Sequence, residues 1–280
     1  MDGRSFAGRR HILVTGASGG LGGALARAYS SPDSHITLWG RNADRLAAVA
    51  CACEKKSASV DSIVHDSRDF EGCRAIIRKM NAAAPVDVAF MNAGVSSGIQ
   101  ADSSPEPAED ACRTMEVNAA GNINMAGALL EGMLSRGGHL VFICSLAALY
   151  PLPSSPAYSA SKAALSYYAR ALRMQLAGGP VRISMVYPGY VESPMSDRLV
   201  GNQPLRWSAE KAALHIATRL EAGKDSIAFP FPLTLGLRLL HFLPFPLASF
   251  FLKAFSFTVS PDPESPAAKE DSTPGGPPHV

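Results

Sequence analysis

The chain has 280 residues, which is enough for one large α/β domain with a substantial core. Its 26 Lys and Arg nearly balance its 24 Asp and Glu, so we expect no positive field of the kind that binds nucleic acid. The five cysteines include no C-x-x-C pair and the seven histidines no H-x-x-x-H spacing, a pattern that fits neither a disulfide framework nor a metal site. We therefore predict a protein of the reducing cytoplasm, and no apolar run with a cleavage site follows the first ten residues to indicate a signal peptide.

Strand-like runs follow one another along the chain at 11–15, 35–39, 60–65, 86–91, 139–144 and 181–187, with 226–229 as a candidate seventh. Helical patterns such as 42–56 and 69–83 separate these runs, and strands that alternate with helices pair in parallel. Because the runs are apolar throughout, both faces of the sheet should be covered. We predict a single Rossmann-type α/β domain over residues 8–229, with a doubly wound, mostly parallel, seven-stranded central sheet flanked by helices.

A glycine-rich turn follows the first predicted strand, between Thr15 and the helical spacing that begins at Leu21. Backbone N–H groups at such a strand-to-helix turn can bind the pyrophosphate of a dinucleotide. The alternative is a merely flexible loop, which this context disfavours. The residues predicted to contact the cofactor here are Gly16, Ser18, Gly20, Leu21 and Gly22.

The second predicted strand ends in Gly40 and Arg41, at the place where dinucleotide sites distinguish their riboses. An acid suits a free 2′-hydroxyl there, whereas an arginine suits a 2′-phosphate because it can bind phosphate through two parallel hydrogen bonds. Glycine stands where the acid would be, so the sequence favours NADP(H) over NAD(H). The alternative is that Arg41 is an ordinary solvated charge.

Tyr158 and Lys162 lie four residues apart at the start of a predicted helix. Ser154 or Ser155 can cap this helix and Pro156 suits its first position, so both side chains should share one face of the first turns. The neighbouring ammonium and the positive helix terminus should lower the pKa of the phenol from about 10 toward working pH. Such a phenol is suited to protonating a carbonyl oxygen that has just gained a hydride.

Ser145 precedes this pair and can add a hydrogen bond to the same developing oxyanion. Taken singly, Ser145 could cap a turn after its strand, and Tyr158 and Lys162 could be plain surface residues. Their joint occurrence favours a reduction centre.

The motifs, in this order, resemble those of the short-chain dehydrogenase/reductase family from residue 11 to about residue 229. They are the glycine turn, the Asn-Ala-Gly after the fourth predicted strand, the Val-Asn-Ala-Ala-Gly segment around Asn118, the set of Ser145, Tyr158 and Lys162, and a Pro-Gly segment in which Ser193 replaces the usual threonine. Beyond the glycine turn, the cofactor contacts that we predict, largely from this resemblance, are Arg41, Asp66, Asn92, Ala93, Gly94, Tyr158, Lys162, Pro188, Gly189, Val191 and Ser193.

The resemblance also implies roles for individual residues. Lys162 would hold the tyrosinate charge and bind the nicotinamide ribose, and Asn118 would support a water relay, unless it only satisfies buried backbone. Asp66 would contact adenine, unless it caps the helix predicted at 69–83. Many NADP-using members carry Lys or Arg within the glycine motif, where this chain has Gly19, so the preference for NADP rests on Arg41 alone.

Residues 230–259 form a segment rich in Phe, Leu and Pro. Arg238 and Lys253 leave too short an apolar stretch between them for a spanning helix, and Pro244 and Pro246 interrupt it. As two short helices the segment would lie in a membrane interface; alternatively it packs over the substrate cleft or at a subunit interface. Residues 260–280 are predicted to be disordered because they offer almost nothing to bury.

We predict an NAD(P)-dependent oxidoreductase that transfers a hydride between nicotinamide, with NADPH favoured, and a hydrophobic ketone or secondary alcohol, lipid-like compounds included. No metal or nucleic acid is expected to take part. The protein would be a cytoplasmic homodimer or homotetramer, with peripheral membrane contact through 230–259 as one option. The alternative is a cofactor-binding, membrane-recruited scaffold or sensor with vestigial catalysis, which the intact set of candidate catalytic residues disfavours: Tyr158, Lys162, Ser145 and Asn118.

Overall fold

The computed structural model describes residues 9–56, 58–100, 104–252 and 257–260, apart from the side chains at 245 and 249. Strands and helices alternate along most of this length. The strands are β1 (Arg10–Thr15), β2 (Ser34–Gly40), β3 (Ser59–Val64), β4 (Val88–Met91), β5 (Gly138–Ile143), β6 (Val181–Pro188), β7 (Leu199–Gly201), β8 (Ser226–Phe229) and β9 (Phe257–Val259). The helices are α1 (Gly20–Tyr29), α2 (Ala43–Glu54), α3 (Phe70–Ala83), α4 (Ala108–Met115), α5 (Asn122–Arg136), α6 (Pro156–Gln175), α7 (Ala209–Glu221), α8 (Phe231–Leu239) and α9 (Phe245–Leu252).

Seven of the strands form one sheet in the order β3-β2-β1-β4-β5-β6-β8, and every pair in it is parallel. This confirms the predicted doubly wound, seven-stranded Rossmann-type fold. The connection reverses direction between β1 and β4, so the loops after these adjacent strands diverge and leave a crevice at the carboxyl edge of the sheet.

Helices cover both faces of the sheet, as the predominantly buried central strands require. On one face the buried side chains of α3, α5 and α6 pack against the sheet, and on the other face those of α1, α2 and α7 do so. Trp39, Phe90 and Phe142 are the largest fully buried side chains. The two layers hold the strand ends in fixed register and so position the loops that follow them.

The segment after β8 forms two short helices, α8 and α9, joined by a 3-10 turn at Leu240–Phe242. Buried residues of α8 and α9, such as Leu237 and Leu252, extend the core that covers α6. Of the helices that the structure describes, none has both the length and the apolar character needed to cross a bilayer. Lys253 and the predicted disordered tail beyond Ser260 lie outside the described residues.

A small antiparallel sheet of β7 and β9 was not predicted from the sequence. It pairs Leu199 with Val259 and Gly201 with Phe257. Each strand has only three residues, too few to show an alternating pattern. This pairing returns the end of the described chain to the crevice.

Candidate active site

A cavity of about 560 Å³ occupies the crevice at the carboxyl edge of the sheet. It runs from the glycine turn after β1 to the inner face of α8. The wall at the glycine turn includes Ser18, Gly19, Arg41, Asn42, Arg45 and His65; the middle includes Gly94, Cys144, Ser145, Tyr158 and Lys162; the far end includes Leu146, Leu152, Met195, Leu199, Leu233, Leu237 and Phe257. Polar groups therefore give way to apolar side chains along its length.

The glycine turn is held open by hydrogen bonds from the loop after β4. The Asn92 side-chain amide donates to the carbonyl oxygen of Thr15 at 2.9 Å, and the backbone N–H groups of Asn92 and Ala93 donate to the Thr15 hydroxyl at 2.8 and 2.9 Å. Gly16 has φ +65°, and a Cβ there would lie 2.9 Å from the Cα of Ala93. Only glycine fits this position, and the turn leaves backbone groups facing the cavity where a phosphate can bind.

Most of the predicted cofactor contacts line this cavity. Asp66 does not, and its carboxylate is bound to Arg68, with an oxygen 2.8 Å from the guanidinium. Burial raises the pKa of Asp66, but the hydrogen bonds and charge of Arg68 outweigh burial and hold it below its ordinary value. Nor does Asp66 cap α3: Asp69 does, by accepting from the N–H of Gly72 at 3.0 Å.

Tyr158 and Lys162 occupy the middle of the cavity, on the first two turns of α6. The Lys162 ammonium lies 5.9 Å from the centre of the Tyr158 ring and donates a hydrogen bond to the carbonyl oxygen of Ile143 at 2.9 Å. Gly94 permits this arrangement, since a Cβ there would lie 3.4 Å from the Lys162 nitrogen and 3.2 Å from the Asn118 side-chain oxygen. The geometry brings together the side chains that the spacing of the sequence had placed on one face.

The pKa of Tyr158 shifts in the direction opposite to the sequence-based expectation. The phenol is enclosed by protein except towards the cavity, and this burial raises its pKa, while a hydrogen bond from Ser145 acts in the other direction. Burial also lowers the pKa of Lys162 to about 8, with Cys144 opposing that shift. For Tyr158, desolvation outweighs the effect of Ser145, because burial disfavours the charged form of the phenol.

Ser145 follows β5 and has two roles in the structure. Its hydroxyl oxygen accepts from the N–H of Ala147 at 3.1 Å, which caps the 3-10 turn at 146–148. The same hydroxyl lies near the Tyr158 phenol and acts to lower its pKa. The turn-capping alternative and the contact with the phenol therefore coexist in the same side chain.

Asn118 is fully buried in a π-helical segment, Glu116–Gly121, and does not line the cavity. Its side-chain oxygen accepts from the N–H of Val95 at 2.7 Å, and its amide donates to the Val95 carbonyl at 2.9 Å and to the Ser161 hydroxyl at 3.0 Å. Ser161 in turn donates to the carbonyl oxygen of Tyr158 at 2.8 Å. These bonds pair the buried backbone N–H and carbonyl groups of Val95, and through Ser161 they connect Asn118 to the turn of α6 that carries Tyr158.

The start of α6 is capped in a way that the sequence analysis did not predict. Ser155 is at the cap position, but its hydroxyl donates to the carbonyl oxygen of Ser97. Glu106 takes its place: one carboxylate oxygen accepts from the N–H of Ala157 at 3.0 Å and the other from the Ser97 hydroxyl. No local signal marks Glu106, because it reaches α6 from a loop fifty-one residues earlier in the chain.

The segment after β6 closes the other side of the cavity. Pro188, Gly189, Val191 and Ser193 line it, as predicted. The N–H of Gly189 donates to the carbonyl oxygen of Phe229 at 2.7 Å, which fixes the segment to β8. The Ser193 hydroxyl accepts from the N–H of Ser196 at 3.1 Å and so supports the turn above the cavity.

The sequence analysis missed several residues of the wall. Tyr190 and Phe257 meet edge to face, with ring centres 6.4 Å apart. Burial raises the pKa of Tyr190 to about 12, so its phenol stays a hydrogen-bond donor. Arg45 adds a second guanidinium beside Arg41 at the polar end. Among the described residues, no three His, Cys, Asp or Glu side chains come together to hold a metal ion.

Comparison with known proteins agrees with this geometry. The sequence model of the short chain dehydrogenase family matches residues 10–204. An uncharacterized oxidoreductase of Myxococcus xanthus is 31% identical over 240 residues, which cover 85% of this chain and 94% of the relative. A 3-oxoacyl-[acyl-carrier-protein] reductase of Rickettsia conorii is 30% identical over 188 residues, or 67% of this chain and 75% of the relative.

Solved structures share the fold. A short-chain dehydrogenase/reductase of Burkholderia phymatum, in complex with NAD, has a TM-score of 0.75 at 22% identity and covers 85% of this chain and 95% of its own. A short chain dehydrogenase of Burkholderia cenocepacia, in complex with NADP, has a TM-score of 0.72 at 24% identity and covers 89% and 98%.

The chain belongs to the short-chain dehydrogenase/reductase family. It is an oxidoreductase with a cavity for a nicotinamide cofactor, and the alternative of a non-catalytic scaffold is not supported.

Proposed function

We propose that the protein reduces hydrophobic ketones with NADPH, or oxidises the corresponding secondary alcohols. The observation that carries the proposal is the position of Ser145, Tyr158 and Lys162 midway along a cavity whose far end is apolar. The nicotinamide cofactor, when bound, supplies or accepts the hydride. The name of the Rickettsia relative supports a keto group on an acyl chain as one such substrate.

Tyr158 would hold and move the proton. In reduction its phenol donates that proton to the ketone oxygen, which breaks the phenolic O–H bond as the alcohol O–H bond forms, while Ser145 donates a hydrogen bond to the same oxygen. The raised pKa keeps the phenol protonated at neutral pH, which is the form that reduction needs. Lys162, with a pKa near 8, is mainly cationic at pH 7 and stabilises the phenolate that is left.

The test measures NADPH oxidation with methyl ketones of increasing chain length. We expect kcat/KM to rise with chain length, because each added methylene can be buried at the apolar end. Tyr158→Phe should lower kcat by about 10²–10⁴-fold and leave NADPH binding unchanged. Tyr167→Phe is the matched control, since this phenol lies on the same helix with 71% of its surface exposed. Full activity in Tyr158→Phe would refute the proposed proton transfer.

The preference for NADP(H) is supported by the polar end of the cavity. Arg41 lies in its wall beside Asn42 and Arg45. Gly40 stands where the acid that suits a free ribose hydroxyl would be, and a Cβ there would lie 2.9 Å from the Ser18 hydroxyl oxygen, which would have to move.

Arg41→Ala should therefore weaken NADPH binding by roughly tenfold or more, since a hydrogen bond to a charged group contributes about 1.5–3 kcal/mol. NADH binding should change little. Arg173→Ala, at an exposed position of α6, controls for net charge. An equal effect on both cofactors would contradict the preference.

A cytoplasmic homodimer or homotetramer is also proposed, on the sequence-based expectation alone. Sedimentation velocity and cell fractionation would test these two parts separately.

A further inference from the structure

Two helices beyond the seven-stranded sheet carry a group of large apolar side chains that are exposed and do not line the cavity. Phe231 is 72% exposed, Phe242 83% and Phe250 67%. We call this group the α8–α9 surface, and its other members are Leu235, Leu239, Leu247 and Phe251. Single exposed apolar side chains are ordinary, whereas clusters of this kind mark an interaction site.

On α8 the exposed and buried residues follow a helical repeat. Phe231, Leu235 and Leu239 are four residues apart, and Phe242 follows three residues later, so they share one face. On the opposite face, Leu233 and Leu237 line the cavity. A single helix therefore separates the apolar end of the cavity from the α8–α9 surface.

The charge of this region is one-sided. Residues 226–260 contain no Asp or Glu, although these account for 24 of the 280 residues of the chain. Arg238 is exposed between Leu235 and Leu239, and Lys253 follows α9 in the sequence. A region whose sequence has no acids and whose described part exposes an arginine complements an anionic partner.

Other occupants fit this surface less well. Residues 261–280 contain no Phe, Leu, Ile, Met, Tyr or Trp with which to cover it. A second copy meeting the first through the same patch would carry two Arg238 guanidinium groups into the contact, with no acid of this region to pair them. In a bilayer the same arginine can extend to the headgroups while the surrounding side chains stay in the apolar layer.

We propose that the α8–α9 surface docks the protein onto an anionic lipid bilayer, with its Phe and Leu side chains in the interface and Arg238 at the level of the headgroups. The docking itself does not depend on the proposed function. Its use rests on that function, because an apolar ketone dissolved in lipid would meet the cavity directly behind α8.

The experiment is co-sedimentation of the full chain with vesicles of phosphatidylcholine alone or mixed with phosphatidylserine. We expect binding to the mixed vesicles, and weaker binding to phosphatidylcholine. The double variant Phe231→Ser/Phe242→Ser should bind the mixed vesicles with an affinity lower by roughly tenfold or more, because two aromatic side chains no longer enter the interface. Met174→Ser on α6, 79% exposed and outside the surface, should bind like the wild type.

NADPH oxidation with a short, water-soluble ketone is measured on the same samples. The double variant should keep this activity, because neither phenylalanine lines the cavity. A failure of docking would leave that activity intact, and a failure of the proposed function would leave vesicle binding intact.

Three outcomes would overturn the docking proposal. The wild type could remain in the supernatant with phosphatidylserine vesicles, or Met174→Ser could lose as much binding as the double variant. Sedimentation velocity could also show a dimer that the double variant dissociates, which would assign the surface to a second copy of the chain.

Discussion

The two edges of the parallel sheet both carry polar side chains, but those side chains meet different surroundings. At the carboxyl edge, Ser145, Tyr158 and Lys162 face a cavity of about 560 Å³. At the amino edge, His11, His35 and His139 are largely enclosed and bind neighbouring protein groups. Polar residues at strand ends thus become candidates for chemistry only where the fold leaves space beside them.

At the amino edge the histidine side chains form hydrogen bonds with other protein groups. His11 donates from Nδ1 to the carbonyl oxygen of Ala84 at 2.8 Å, so its Nε2 accepts from the Thr37 hydroxyl, also at 2.8 Å. His139 donates to the Ser184 hydroxyl oxygen at 2.8 Å, because that hydroxyl donates to Asp225 at 3.0 Å. Burial keeps His11 and His139 neutral at pH 7, and both ring nitrogens of His11 are engaged by neighbouring protein groups.

The largest loss of stability expected from a single substitution concerns the glycine turn at the carboxyl edge. Gly16→Ala should destabilise the protein by about 3 kcal/mol, since it adds left-handed backbone strain to a clash with Ala93, and cofactor binding should fall with it. Urea unfolding and NADPH titration measure the two losses. Gly178→Ala is the control, because Gly178 has φ +79° but no atom within 4 Å of its added Cβ. Equal losses in both variants would show that backbone strain alone, and not the close approach to β4, explains the glycine.

From the buried histidines at the amino edge we predict that the free energy of unfolding falls in mild acid. Burial lowers the pKa of His11 and of His139 from 6.5 to about 4. The unfolded chain therefore takes up these protons first, so stability is complete above about pH 6.5 and falls as the pH drops towards 4. Each histidine contributes up to about 3 kcal/mol to this fall.

Urea unfolding measured from pH 7.5 to 4 tests this expectation. His139→Gln should reduce the slope below pH 6.5, because one of the two titrating groups is gone. A free energy of unfolding that stays constant from pH 6.5 to 4.5 would contradict the neutral, enclosed state of these side chains and with it the contrast between the edges.

The smallest expected loss of stability comes from replacing Glu106. This prediction tests whether the cap of α6 positions Tyr158 at the carboxyl edge. Glu106→Ala removes the cap at the start of α6 and should cost about 0.5–2 kcal/mol of stability, with a lower kcat because Tyr158 follows directly. Glu106→Gln keeps one acceptor oxygen and should recover part of both. Glu109→Ala, at an exposed position nearby, should change neither. If Glu106→Ala behaves like Glu109→Ala, the cap does not position the phenol.

The sequence predicted the parallel sheet because strand-like runs alternate with helical patterns along the chain. It predicted the cavity wall at the glycine turn because that strand-to-turn motif is local, whereas most other wall residues were predicted from the family resemblance. It did not predict the raised pKa of Tyr158, because desolvation depends on how distant segments enclose the phenol. Glu106 was missed for a similar reason, since its partner is far along the chain. Asp66 lies outside the cavity wall although His65 and Ser67 line it, and its carboxylate binds Arg68, a pairing that the sequence analysis did not consider.

Because strand β9 lies near the end of the described chain, the two ends of the cavity become available at different times during synthesis. The N–H of Val259 donates to the carbonyl oxygen of Ile99 at 2.8 Å, and the N–H of Ser260 donates to that of Arg198 at 2.9 Å. The glycine turn and its partner loop are complete by residue 94, whereas the apolar end of the cavity needs residues near 199, 237 and 257. Because synthesis runs from the amino terminus, the residues of the glycine turn leave the ribosome well before those that complete the apolar wall of the cavity.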